Sequence, residues 1–259
     1  PESEYLEIYN PSNKLLTLGG LVLSDETGST TLPFETLLPK EYVILCPTSS
    51  VDDFEGFGRV IGLSNWRSLS NAGEQLELRN SDNELIFEIH YDDDWYRDAE
   101  KKDGGWSLEM IDPSNICGEQ NNWTASENPQ GGTPAAQNSV IASNADQRNP
   151  QIVRVDVLDT QTLEVIFDEK LNQNQALNFA VFTVDKGVVV ASQDVKDAKT
   201  VILTLASPIE NQTLYTLSIS NLSDCVGNLL DNQSNTATFV LPEQGDAGDI
   251  ILNEILFDP

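Results

Sequence analysis

The stretch 75-QLELRNSDNELIFEIHY-91 decides the fold class of this chain. Its two halves, residues 75–79 and 85–91, alternate apolar and polar side chains, and the turn-forming residues 81–83 lie between them. A period of two is typical of a β-strand, because successive side chains point to opposite faces of the sheet. The stretch therefore predicts two strands joined by a turn.

The same pattern recurs along most of the chain. In the first half, strand candidates at residues 21–24, 42–45 and 59–62 are separated by turn signals such as 18–20 and 71–73. A second series follows residue 150, at 151–158, 162–167, 182–183, 188–191, 200–204, 213–219 and 236–241. Short strands at this spacing, with no amphipathic helical stripe of useful length, favour β-sandwiches or barrels. We expect an all-β protein with two Ig-like β-sandwich domains in tandem.

A change of composition divides the two series. Residues 128–150 are rich in Gly, Pro, Asn, Ala and Ser and have no periodicity, which indicates a loop and a linker. We predict a first sandwich over residues 1–140, a linker over 141–150 and a second sandwich over 151–242. Residues 243–259 are predicted to be a joint followed by an extended, apolar strand.

The charge of the chain excludes several classes of partner. Forty-two Asp and Glu residues oppose 14 Lys and Arg residues, for a formal net charge of −28. Such a surface repels nucleic-acid phosphates and anionic lipid headgroups, and it attracts divalent cations. Apolar runs fall short of the ~20 residues that a membrane-spanning helix needs. The charge suits a soluble or extracellular protein, and we expect one that neither binds nucleic acid nor inserts into a membrane.

Residues for catalysis are scarce. The single histidine, His90, lies inside an alternating run, and no zinc-ligand spacing or phosphate-binding loop is present. We therefore predict no enzyme activity and no cofactor. Asp92, Asp93 and Asp94 form the densest acidic cluster, which makes them candidate calcium ligands, although a solvated loop explains them equally well.

Cysteines and tryptophans suggest two further features. Cys46 and Cys117 both lie in the first predicted domain, and a disulfide between them would close a loop of about 70 residues. Cys225 is then left over, and three free thiols are the alternative. Trp66 lies in a predicted loop and is the best candidate for an exposed, sugar-binding aromatic residue, whereas core packing is the simpler explanation for the other tryptophans.

The two ends of the chain fit together as a strand pair. Residues 253–259 followed by residues 1–10 read NEILFDP–PESEYLEIYN, two alternating runs around a Pro-rich turn. The pattern predicts one period of a repeating array. The predicted assembly strand comprises Ile250, Ile251, Leu252, Asn253, Glu254, Ile255, Leu256 and Phe257. The predicted acceptor strand comprises Tyr5, Leu6, Ile8 and Tyr9.

The first domain resembles the lamin-tail domain, an Ig-like sandwich found in nuclear lamins and in secreted bacterial proteins. The matching stretches are EYLEIYNP at 4–11, LGGLVLS at 18–24, AGEQLEL at 72–78, GGWSLEMIDP at 104–113, NWTAS at 122–126 and GGTP at 131–134. Such domains begin with a strand of the form INEI followed by a hydrophobic residue, directly before EYLEIYN. Here the equivalent strand, LNEILF, lies at 252–257.

The second domain is similar to bacterial Ig-like domains of surface-layer proteins. The matching stretches are TLEVIFDE at 162–169, VILTL at 201–205, YTLSIS at 215–220 and DCVGN at 224–228. Both resemblances imply a large secreted or cell-surface bacterial protein.

Two arrangements would complete the first sandwich. The strand at 249–257 either folds back into its own first domain or enters that of the next unit. A seven-stranded sandwich carries the chain to its opposite end, and the six-residue joint at 243–248 is too short to return. We therefore predict a head-to-tail filament or a long surface stalk made of copies of this unit. Whether the units are covalently continuous stays open. The alternative is an adhesive module pair of a large secreted enzyme or adhesin that binds surface glycan through loops such as 65–67.

Overall fold

A computed structural model describes residues 3–243 and 245–256. The chain divides into two compact units, with unit 1 ending at Ala145 and unit 2 beginning at Asp146. Both units consist mainly of antiparallel strands, so the prediction of an all-β protein is confirmed.

Unit 1 contains eleven strands and four short helices among its described residues. The strands are β1 (Leu6–Tyr9), β2 (Leu16–Thr17), β3 (Val22–Ser24), β4 (Ser29–Thr31), β5 (Thr36–Leu37), β6 (Tyr42–Pro47), β7 (Val60–Leu63), β8 (Gly73–Arg79), β9 (Leu85–Asp92), β10 (Leu108–Met110) and β11 (Trp123–Ala125). The helices are one α-helix, α1 (Ala99–Lys102), and 3-10 turns at Thr48–Phe54, Asp93–Tyr96 and Glu119–Asn122.

Two main sheets form unit 1. One has the strand order β1-β6-β7, with β6 and β7 parallel, and the other has the order β4-β3-β8-β9. Strands β8 and β9 correspond to the two runs predicted at 75–79 and 85–91, and they pair with Leu76 opposite Ile89. Two short pairs, β2-β5 and β10-β11, complete the unit.

Strand β6 is buried on both of its faces. On one face, Val43 and Leu45 join a core cluster that the partly buried Leu6 and Ile8 of β1 also contact. On the other face, Ile44 packs against Phe54. Because β6 is the buried centre of its sheet, β1 is fixed on one side and lies at the sheet edge on the other.

Buried polar side chains hold the loops around β10 and β11. The amide of Asn122, fully buried, donates to the carbonyl oxygens of Asp112 and Asn115, each at 2.7 Å, and its oxygen accepts from the Asp112 N–H at 3.0 Å. The buried carboxylate of Glu109 accepts hydrogen bonds from Thr133 and Ser139. These bonds replace the apolar packing that short strands cannot supply.

Unit 2 is a β-sandwich with seven strands among its described residues. Its strands are β12 (Ile152–Val157), β13 (Thr162–Phe167), β14 (Val181–Val184), β15 (Val190–Asp197), β16 (Thr200–Leu205), β17 (Tyr215–Ser220) and β18 (Thr236–Phe239). They form a four-stranded sheet in the order β12-β13-β16-β15 and a three-stranded sheet in the order β14-β17-β18. One hydrophobic cluster, which includes Leu163, Leu203 and Leu217, contains residues of both sheets.

A short helix in unit 2 was not predicted from the sequence. Helix α2 (Gln173–Asn178) begins after Asn172, whose side chain accepts a hydrogen bond from the Gln175 N–H. Six residues are too few to show an amphipathic stripe, so the periodicity of the sequence gives no signal for it. Across the described residues of both units, each helix is too short, or too polar, to cross a lipid bilayer.

Candidate assembly site

The predicted acceptor strand lies at the edge of its sheet. Strand β1 pairs with β6 in antiparallel register, Leu6 opposite Leu45 and Tyr9 opposite Tyr42. Within residues 3–243 and 245–256, no strand pairs with the other side of β1. An unpaired edge of this kind presents backbone donors and acceptors to a further strand.

The register identifies which backbone groups are free to pair. The Asn10 N–H donates to the Glu41 carbonyl at 3.0 Å, one position beyond the Tyr9–Tyr42 pair. Residues that bond the partner strand alternate with residues that do not along an antiparallel ladder. The backbone N–H and C=O groups of Leu6 and Ile8 therefore point toward β6, and those of Glu7 and Tyr9 point to the outer edge.

Side chains on both faces of β1 already have partners. The rings of Tyr5 and Phe54 lie 5.3 Å apart, and those of Tyr9 and Tyr42 are stacked at 4.3 Å. Leu6 and Ile8 contact the core between the sheets. These contacts hold the side chains of β1 against the rest of unit 1.

Glu7, which was not among the predicted site residues, lies in this edge strand. The side chain of Glu7 accepts a hydrogen bond from the Ala135 N–H. Burial, opposed by that bond and assisted by the charge of Glu109, raises the pKa of Glu7 to about 7. Burial also raises the pKa of Tyr5 to about 12. The only sequence signal for Glu7 was its place in an alternating strand.

The core beside β1 is nearly closed. The cavity next to Leu6, lined also by Trp66 and Leu76, has a volume of only about 20 Å³, room for about one water molecule. At β1 the structure therefore leaves the hydrogen-bonding edge open and the apolar core closed.

The predicted assembly strand is exposed. Ile250, Ile251, Leu252, Ile255 and Leu256 have exposed fractions between 72% and 89%. Asn253 and Glu254 are exposed as well, and residues 251–256 form no strand with the described residues. Phe257, the last member of the predicted strand, lies outside the described residues.

The predicted disulfide between Cys46 and Cys117 is wrong. Cys46 is a free cysteine, fully buried in β6, and burial followed by the charge of Asp53 raises the pKa of its thiol. Cys117 and Cys225 are both disulfide-bonded. Sequence alone does not fix which cysteines are paired. Cys46 packs in a hydrophobic cluster with Ile44 and Phe54 that includes no second cysteine among the described residues.

The acidic cluster 92–94 has a structural role. The Asp92 side chain accepts from the Asp94 N–H and so caps a 3-10 turn. Lys102 forms ion pairs with Asp93 at 2.9 Å and Asp94 at 3.2 Å. The three carboxylates do lie within 4.8 Å of one another, but a lysine already neutralises part of their charge.

Trp66 is not an exposed aromatic residue. Its ring is half-buried against the core of unit 1, and its indole N–H donates to Glu4 at 3.0 Å. The observation that favoured a glycan-binding loop at 65–67 is therefore removed. His90 occupies an exposed position in β9 opposite Gln75, as its alternating context predicted.

The match to a family model lies mainly in the second half of the chain. Residues 132–240 match a bacterial Ig-like domain family. This match confirms the resemblance predicted for the second domain, and it begins earlier than the predicted boundary. The lamin-tail resemblance of residues 1–140 remains a prediction.

Two solved structures resemble part of the chain. The N-terminal part of the bacterial S-layer protein SbsC is 20% identical over 36% of this chain and 24% of that chain, with a TM-score of 0.31. The S-layer protein rSbsC(31-844) is 19% identical over 38% of this chain and 14% of that chain, with a TM-score of 0.33. The chain thus spans a quarter or less of each. A search of curated proteins found no match.

Proposed function

We propose that this chain is a non-enzymatic structural unit of an extracellular filament or a long bacterial cell-surface protein. In this proposal, residues 250–256 of one unit add as a strand to the outer edge of β1 in the next unit. The observation that carries the proposal is that one chain has both a strand edge with no partner among the described residues and an exposed apolar segment.

The alternation of the segment supports its use as an edge strand. In extended conformation, Ile250, Leu252 and Leu256 share one face, and Ile251 and Ile255 share the other. The cavity beside Leu6 has room for only about one water molecule, so the added side chains pack on the surface next to β1 and are buried in part. Full burial of two or three of them would give ~1.5–3 kcal/mol each, so the gain from burial is at most roughly 3–9 kcal/mol.

The cost of association decides how the units are connected. Bringing two free chains together costs an estimated ~4–15 kcal/mol in lost translational and rotational freedom, which is similar to the gain from burial. Four or so added backbone hydrogen bonds contribute roughly 0.5–1.5 kcal/mol each. Separate chains should therefore assemble weakly, whereas units in one continuous chain pair at a high effective concentration.

The match to bacterial Ig-like domains supports a place at the cell surface, and the net charge opposes nucleic acid as a partner. Bacterial Ig-like domains are typical of surface proteins, and residues 132–240 match that family. A net charge of −28 opposes a role in binding nucleic acid. The proposed partners are further copies of the same unit.

Sedimentation velocity combined with electron microscopy tests the proposal. We expect the chain to form head-to-tail oligomers that grow with concentration, and Leu252→Asp/Ile255→Asp to stay monomeric, because each face then carries a charge into the contact. Leu229→Asp is the matched control, since Leu229 is 60% exposed in unit 2 and lies outside the segment.

The acceptor edge has its own test. Tyr9→Pro removes an outward N–H from β1 and is tolerated at a sheet edge, so the fold should persist while assembly is lost. Tyr9→Thr also removes the ring but keeps the N–H, and it should assemble. Equal behaviour of the two variants, or assembly that survives the loss of both Leu252 and Ile255, would contradict strand addition at β1.

A further inference from the structure

One edge of the unit 2 sandwich is open. Strand β14 pairs with β17, with Val184 opposite Leu217, and within residues 3–243 and 245–256 no strand pairs with its other side. The Asp185 N–H, directly after β14, donates to the Thr216 carbonyl at 3.1 Å. Because bonded positions alternate along an antiparallel ladder, the backbone N–H and C=O groups of Phe182 and Val184 point outward.

The other edge strands of unit 2 are protected against pairing. Strand β15 carries Asp194, Lys196 and Asp197, and its register against β16 shifts twice. Strand β12 carries Arg154 and Asp156 and has one register shift, and β18 lies against β12. Charged side chains, bulges and a covering element all keep a second chain from pairing with a sheet edge.

Strand β14 has none of these forms of protection. Residues 171–184, LNQNQALNFAVFTV, contain no charged side chain, although 22% of the chain is charged. The strand pairs with β17 without a register shift. Phe179, Val181 and Val189 are 62%, 47% and 60% exposed. An open, uncharged edge flanked by exposed apolar side chains is a site for pairing with another strand.

The neighbouring sheet does not cover this edge. A groove of about 380 Å³ separates β14 from β15, the edge strand of the other sheet. The Gln193 side-chain amide donates to the carbonyl oxygens of Ala176 and Ala180 at 2.8 and 3.1 Å. These bonds tie the segment that leads into β14 to β15, and they leave the outer edge of β14 exposed.

The charge of the chain indicates what pairs with β14. With a net charge of −28, copies of this chain repel each other over most of their surface. Two copies can approach closely where the contact carries no acidic side chains, and residues 171–184 meet that condition. A basic partner gains no attraction from such a stretch. The edge therefore suits a second copy of the chain.

We propose that β14 pairs in antiparallel register with β14 of a second copy, about a two-fold axis at Thr183. In this register the two Thr183 residues face each other, which is a favourable cross-strand pair. Phe182 of each copy pairs with Val184 of the other, and their outward groups make about four hydrogen bonds. Val181 faces Asp185 of the second copy, so no acidic residue opposes another.

The contact is small, with a few residues a side against about 20–30 in a standard interface. Separate copies should therefore pair only at about millimolar concentrations, and dilute Leu252→Asp/Ile255→Asp should still sediment as a monomer. In a stalk or filament of many copies, such contacts add up and hold neighbouring chains side by side. This inference is independent of strand addition at β1, which lies in the other unit.

Disulfide trapping detects a weak contact of this kind. Thr183→Cys is introduced into the Leu252→Asp/Ile255→Asp chain, so that strand addition at β1 does not contribute, and is oxidised with copper phenanthroline at about 1 mM protein. The native cysteines do not interfere, because Cys46 is buried and the other two are disulfide-bonded.

We expect Thr183→Cys to form a disulfide-linked dimer at least about tenfold faster than Ser192→Cys, because facing residues in a strand pair have Cβ atoms close enough for a disulfide. Ser192 is the matched control, since it is an exposed residue of the protected edge strand β15. Equal rates, or a faster reaction at Ser192→Cys, would overturn the pairing.

The charge at position 181 tests the register. Val181→Asp, added to Thr183→Cys, places an acidic side chain opposite Asp185 in both halves of the pair and should slow trapping roughly threefold or more. Val181→Lys places a base there and should trap at least as fast as Thr183→Cys alone. Circular dichroism confirms that each variant is folded. A lysine variant that traps more slowly than Thr183→Cys alone, or equal rates for folded lysine and aspartate variants, would reject the two-fold pairing at Thr183.

Discussion

The two units reach the same fold class with different means of stabilisation. Unit 2 has one continuous core between a four-stranded and a three-stranded sheet. The described core of unit 1 is divided into three clusters, and buried polar groups such as Asn122 and Glu109 connect its loops. Unit 2 also buries hydrogen-bonded polar residues such as Asp224, but its two sheets share one apolar core, whereas the cores of unit 1 are smaller and separate.

The largest expected effect is in the core of unit 2. Leu203→Ala removes a fully buried side chain of β16 and should lower the free energy of unfolding of this unit by about 2–5 kcal/mol. Urea unfolding followed by circular dichroism measures it. The control Leu229→Ala, at an exposed position, should change stability by less than about 0.5 kcal/mol. Similar small effects for both variants would contradict a single tightly packed core.

The polar network of unit 1 is the counterpart. Asn122→Ala should destabilise this unit by about 2–3 kcal/mol, because the buried carbonyls of Asp112 and Asn115 lose their donor. The neighbouring Asn121 is exposed, and Asn121→Ala should be close to neutral by the same urea measurement. If the two variants unfold alike, unit 1 does not rely on buried hydrogen bonds.

Protonation of Glu7 should make unit 1 depend on pH. Since burial raises its folded pKa from 4.5 to about 7, the folded state holds a proton that the unfolded state releases between those values. The contribution of Glu7 to the free energy of unfolding therefore falls as pH rises from 4.5 to 7. We expect Glu7→Gln to be more stable than the parent chain at pH 8 by about 1–3 kcal/mol, and to show little of that advantage at pH 4.

Thermal unfolding from pH 4 to 8 checks this sign. Glu55→Gln, at an exposed position, is the control and should follow the parent curve. A Glu7→Gln variant that loses stability at pH 8 would mean that the ionised carboxylate stabilises the folded unit.

The last prediction concerns the reactivity of the thiols, which should change no stability. Native protein should not react with Ellman's reagent, because Cys46 is buried and its thiol pKa is raised. In denaturant without reductant, one thiol per chain should react, and peptide mass mapping should place it at Cys46. A reactive thiol at Cys225 instead would restore the pairing of Cys46 with Cys117.

Strong alternation allowed much of the fold to be predicted. Residues 162–167 and 85–91 were expected as strands and correspond closely to β13 and β9. The two-residue strands β2 and β5 were missed because so short a run has no measurable period. Helix α2 was missed for the same reason.

The sequence indicates which residues of the candidate site are apolar and which face inward, but not which residues are neighbours in the fold. The apolar character of 250–256 and the inward positions of Leu6 and Ile8 follow from alternation. The pairing of β1 with β6 alone depends on residues distant in sequence. No local pattern carries that information.

Hydrogen exchange in a tandem chain tests strand addition most directly. In a chain with two copies joined from Pro259 to Pro1, the first copy's residues 250–256 can reach β1 of the second copy, while β1 of the first copy has no donor. Mass spectrometry of the peptide containing Glu7 and Tyr9 should then show two populations of equal size, one protected and one exchanging fast, and the dilute single copy should show only the fast one. A single fast population in the tandem would contradict the proposed assembly.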